Sequence, residues 1–127
     1  MHPNPYATAQ RETLTGRALE REVFTRITAR LAAADPTVPG GAAALAAALE
    51  ENRQLWCALA VDLAEPNNRC SDVLKAGLIS LAAFVCSHTA QVLAGKAGPN
   101  ILVTINRDII TGLTAAPASA ESAAEAA

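Results

Sequence analysis

The chain alternates between long stretches with an apolar repeat and short polar breaks rich in proline, glycine and asparagine. Over residues 15–34, Leu19, Val23, Ile27 and Leu31 recur every four positions with Phe24 beside them, which predicts an amphipathic helix. Glu22, Arg26 and Arg30 form an i, i+4 series on its outer side. DPTVPGG, residues 35–41, then stops the helix. A second helix is predicted over residues 42–64. In it Leu45, Leu49, Asn52, Trp56, Leu59 and Leu63 follow a 4, 3, 4, 3, 4 spacing, a heptad-like seam with Asn52 as its one polar member. EPNN, residues 65–68, ends it. Ser71 is placed to cap a third helix, with Asp72 in its first turn. Leu74, Leu78, Leu81, Val85, His88 and Val92 repeat the same spacing there. Ile79, Cys86, Ala90 and Leu93 make a second stripe, and Gly95 is placed to end the helix. The fourth helix, residues 100–113, presents Leu102, Ile105, Ile109 and Leu113.

Four helices joined by short connections predict an all-α fold, a small antiparallel bundle over residues 15–113. Residues 1–14 read as an N-terminal arm, with room for a short extra helix around residues 5–11. Residues 114–127 are an alanine-rich tail without one large apolar side chain. Such a segment buries too little area to offset its ordering entropy and is expected to be disordered.

Composition refines this picture. The chain is 51% hydrophobic but only 3% aromatic, so leucine, isoleucine, valine and alanine must build the core of one domain. The net charge of −2 comes from Glu121 and Glu125 in the tail; the rest holds equal numbers of acids and bases. That argues against direct RNA binding through phosphate neutralisation. Three cysteines without CxxC spacing suggest neither a zinc site nor a disulfide framework, and reduced thiols in a cytoplasmic protein are the simplest reading. Residues 76–95, AGLISLAAFVCSHTAQVLAG, carry no charge and as a helix would span ~30 Å, about one bilayer core. The polar block SHT with Ser80 and Gln91 favours instead a central bundle helix, buried most of the way round, and no membrane association.

No phosphate-binding loop, HExxH or GxSxG motif is present, and no cofactor, metal or catalytic residue is expected. His88 falls on an apolar seam, where a hydrogen-bonded core histidine is expected rather than a general base. Trp56 is either a core residue or a hot spot at a groove rim; its regular place in the leucine seam favours the core. The predicted structural core therefore includes Trp56, Leu59, Leu78, Leu81, Val85 and His88. Arg53 lies off the seam and is the better partner-contact candidate, with Asn52 fixing helix register or facing a partner. Ser80, Ser87 and Gln91 project to one side of the third helix around Phe84. They form either a wet strip or a shallow apolar groove with polar rims suited to a partner helix. Asn106 and Arg107 add a last polar pair. Asn52, Arg53, Phe84, Gln91, Asn106 and Arg107 are thus the candidate partner-binding residues. The seams are equally compatible with a homodimer.

Several motifs occur in a telling order: Tyr6 with Ala9-Gln10, Arg17 to Phe24 with Thr28, NRQLW (52–56) with Leu59 and Asp62, GLISLAAFVCSHT (77–89) with Gln91-Val92, and INRDIITGL (105–113). In this order they resemble the alphaproteobacterial FlaF family of flagellar biosynthesis regulators, over residues 6–113. The resemblance implies a non-enzymatic role in flagellin production and export, alongside a second regulator, FlbT, that represses flagellin translation. A cytoplasmic flagellin-binding chaperone is the expected mechanism, since flagellin carries helical, aggregation-prone terminal segments. The alternative is control of flagellin translation, on the mRNA or through FlbT.

Overall fold

A computed structural model describes residues 21–114, with side chains to residue 112. The arm of residues 1–14, the helix start at residue 15, Leu113 and the tail beyond residue 114 lie outside the described residues. The described chain is four helices and no strand: α1 (residues 21–33), α2 (Gly41–Ala64), α3 (Asp72–Leu93) and α4 (Asn100–Thr114). They form the small all-α bundle that the apolar repeats predict.

The breaks act as their residues dictate. Between α1 and α2, the Asp35 carboxylate accepts from the Thr37 backbone N–H at 2.9 Å and its hydroxyl at 2.6 Å. Gly41 N–H then donates to Val38 O across Pro39-Gly40. Gly40 sits at φ 77°, ψ −6°, so this is a type II turn, whose third residue needs positive φ. Gly41 begins α2 pressed against the loop: a Cβ there would lie 1.6 Å from Asp35 O. At the end of α2, Glu65 precedes Pro66 and turns extended, at ψ 135°, as a residue before proline must. Ser71 Oγ caps α3, accepting from Leu74 N–H at 3.2 Å. The far end of α3 closes through Gly95 at φ 75°. Gly95 N–H donates to Val92 O and Lys96 N–H to Gln91 O, which is a Schellman motif.

The core lies where the seams meet. Phe24, Ile27 and Leu31 of α1 pack with Leu49 and Trp56 of α2, Val85 of α3 and Leu102 of α4. Phe24 meets Trp56 edge-on, with ring centroids 5.7 Å apart and an interplanar angle of 88°. Six residues on, Arg30 pairs with Glu51, so α1 runs antiparallel to α2. Thr28 and Thr89 are buried as well, each donating its hydroxyl to the carbonyl four residues earlier. That bond satisfies the oxygen locally and makes a threonine tolerable inside the bundle.

α3 corrects one expectation. It is not buried most of the way round: its buried residues are Ala82, Val85, Thr89 and Val92 alone. Leu78, Leu81 and His88 are only half-buried, because the inward face is centred between the two apolar stripes rather than on the first. Among the described residues, α3 is the one helix long and apolar enough to cross a membrane by length and composition.

Candidate partner-binding surface

Three residues that the sequence treats separately meet in the centre of the bundle. Trp56 Nε1–H donates to Asn106 Oδ1 at 2.9 Å, and Asn106 Nδ2 donates to Asn52 Oδ1 at 2.7 Å. All three side chains are fully buried. Asn52 and Asn106 are therefore interior residues, which corrects their assignment as partner contacts. Each sits at the centre of its helix's inward face, where a surface role is sterically closed. Asn52 Nδ2 finds no hydrogen-bond partner. Turning the Asn52 amide over would only set its NH2 against that of Asn106. The network thus ties α2 to α4 through one tryptophan and two amides, and the Asn52 NH2 group remains unsatisfied.

The other candidates lie outside. Arg107 is exposed. Arg53 is half-buried and held along its own helix: Nε and Nη2 donate to the two Glu50 carboxylate oxygens at 2.8 and 2.6 Å. The pairing raises the Arg53 guanidinium above its ordinary range and lowers the Glu50 carboxyl below its own. The hydrogen bond is the larger cause in both. Arg53 is consequently a committed ion-pair partner on the flank of α2.

Phe84 and Gln91 remain exposed on α3, Phe84 at 43%. They belong with Gly77 to a series seven residues apart, which keeps them on one flank. Ser80 and Ser87 are exposed beside them. His88 borders this flank, stacked on Phe84 with centroids 5.3 Å apart and rings 19° from parallel. Its Nε2 lies 2.9 Å from Gly98 O, and since a carbonyl only accepts, Nε2 carries the proton and donates. His88 thereby stands between Phe84 and the turn into α4 and sets the ring's orientation. It is a positioned boundary residue, not the core histidine expected. The opposite flank of α3 carries Ile79, Cys86 and Leu93, again seven apart, with Ile79 at 39% and Leu93 at 56% exposure.

Between α1 and α2 lies a shallow depression of about 400 Å³ lined by Ala33, Ala34, Ala44, Ala47 and Ala48, with the Arg30–Glu51 pair at its rim. It shares no residue with the α3 flank. Among the described residues no cluster of three or more histidine, cysteine or acidic side chains could hold a metal.

What the geometry defines is a small helical-bundle protein with a pinned polar centre and a partly apolar helix, uncharged beyond Lys75, left uncovered on two flanks. The chain belongs to the FlaF family: the family model described as flagellar protein FlaF matches residues 2–113. It is thus a flagellar protein. Neither the comparison with curated proteins nor that with solved structures gave a match.

Proposed function

We propose that this protein is a non-enzymatic, cytoplasmic flagellin-binding chaperone in flagellum assembly, and that it holds a helical terminal segment of flagellin along the Phe84–Gln91 flank of α3. One observation supports the reading above others: the uncharged stretch of α3 beyond Lys75 keeps a large aromatic ring exposed yet oriented, by stacking on His88. An exposed aromatic anchor rimmed by Ser80, Ser87 and Gln91 suits helix-in-groove recognition, in which apolar anchors supply affinity and polar rims supply register. The near balance of charge over the folded part favours such docking over a phosphate-dependent RNA contact.

The test is isothermal titration of the full chain with monomeric flagellin and with flagellin lacking its terminal segments. Stoichiometric binding to the first and none to the second is expected. Absence of binding to intact flagellin overturns the chaperone reading. Control of flagellin translation then takes its place, and FlbT and flagellin mRNA become the next ligands to titrate.

A further inference from the structure

α2 and α3 bring two thiols into contact that the sequence keeps far apart. Cys57 Sγ and Cys86 Sγ lie 3.6 Å from each other, across 29 positions of chain. Both are half-buried, on facing flanks of helices that pack directly. The Arg53 guanidinium reaches the same place, with Nη1 3.9 Å from Cys57 Sγ. Sulfur atoms at this distance touch without bonding; a disulfide needs about 2.05 Å with Cα atoms near 5.5–6 Å.

We propose that Cys57 and Cys86 are a modification site: a dithiol that small-molecule disulfides close into an intramolecular α2–α3 disulfide. The Cys57 thiolate, the sulfur facing Arg53, attacks one sulfur of oxidised glutathione, and a glutathione thiolate leaves. Cys86 gives up its proton and attacks Cys57 Sγ of the mixed disulfide, expelling the second glutathione thiolate. The protein loses two protons and two electrons; one oxidised glutathione becomes two reduced ones. Burial, the largest cause, and the neighbouring Cys57 hold the Cys86 thiol above its ordinary range, which suits the resolving rather than the attacking role. The closed form fixes α2 against α3 and leaves the Phe84 flank, on the other side of α3, uncovered.

The experiment is to equilibrate the reduced full chain with glutathione buffers of increasing oxidised fraction, block residual thiols by alkylation, and map the peptides by mass spectrometry. The expected product is a monomer two hydrogens lighter, with Cys57 linked to Cys86 and Cys70 alkylated, and with a raised thermal midpoint. Cys70→Ser should leave this product unchanged. Cys57→Ser and Cys86→Ser should each abolish it; Cys86→Ser should leave a stable glutathione adduct on Cys57, and Cys57→Ser should leave Cys86 alkylated. Mixed disulfides on Cys57 or Cys86 that persist in the unmodified chain, or links made through Cys70 between chains, would overturn the proposal. So would full alkylation of Cys57 and Cys86 at every buffer ratio. These readings come from the unmodified chain, so they stand even where a serine variant fails to fold.

Discussion

Asn106 does the work of two residues. It accepts from the Trp56 indole and donates to Asn52, while Asn52 Nδ2 gains nothing in return. An unsatisfied buried polar group costs about 1–3 kcal/mol, whereas a net hydrogen bond contributes only about 1 kcal/mol. The two asparagines should therefore respond unequally to the same change. Asn106→Leu strands the Trp56 N–H and the Asn52 amide together and should cost more than about 2 kcal/mol. Asn52→Leu strands one amide of Asn106 but removes the existing orphan, and should cost markedly less. Urea denaturation of both variants decides this, and equal or reversed losses would refute the network as drawn. Trp56→Phe should keep the edge contact with Phe24 and lose about 1–3 kcal/mol through the unpaired Asn106 Oδ1. The seam made Trp56 legible as a core residue from sequence. It could not show that Asn52 and Asn106 face each other, since 54 positions separate them and only the packing of α4 onto α2 brings them together.

At the scale of elements, the breaks were the most legible part of the chain, because proline, glycine and capping residues act locally. Ser71 starts a helix, and Gly95 and DPTVPGG end helices, where they stand. The rotational setting of α3 was less legible. Its two apolar stripes offer two possible inward faces, and the neighbours select the line of Ala82, Val85, Thr89 and Val92 between them. Glycine shows the difference between local and tertiary rules directly. In a helix, Gly→Ala ordinarily stabilises by about 0.5–1 kcal/mol, and Gly77, with open space around its Cβ position, should follow that rule. Gly41→Ala should invert the sign, since its Cβ meets a backbone carbonyl that only a rebuilt loop can move. A loss of more than about 2 kcal/mol is expected, beside a gain at Gly77→Ala; thermal melts of the two variants provide the comparison. Asp35 at this junction and Glu50 within α2 carry a pH dependence. The Thr37 hydroxyl, then its backbone N–H, lowers Asp35 from 3.8, and Arg53 lowers Glu50 from 4.5. Groups depressed in the folded state stabilise above their unfolded values and lose that contribution as pH falls through the folded ones. The denaturation midpoint should therefore drop as pH falls below 4.5 and on through the lowered folded values, and Asp35→Asn with Glu50→Gln should flatten the drop.

For the whole molecule, the informative quantity is where apolar surface remains uncovered. A soluble bundle tolerates scattered exposed side chains, so exposure by itself does not mark a binding face. α3 supplies an internal control, because Phe84 and Leu93 are both large, both exposed and set on opposite flanks. Phe84 is oriented by His88, and His88 is anchored to the backbone at Gly98. If flagellin docks along the Phe84–Gln91 flank, truncating that ring should remove an anchor already held in place, and anchors of this kind carry most of an interface's energy. Phe84→Ser should then weaken flagellin binding at least tenfold, equivalent to about 1.4 kcal/mol. Its thermal midpoint should change little, since the ring lies outside the buried core. Leu93→Ser should leave affinity within a factor of about two, because its surface faces away from the docking flank. Titrating each variant with intact flagellin separates the cases. Loss at Phe84 alone supports a defined groove. Equal loss at both positions means that the chain binds by unspecific apolar contact. Loss at Leu93 alone moves the docking face to the flank of Ile79 and Cys86, where closure of the Cys57–Cys86 pair would then act directly on the partner.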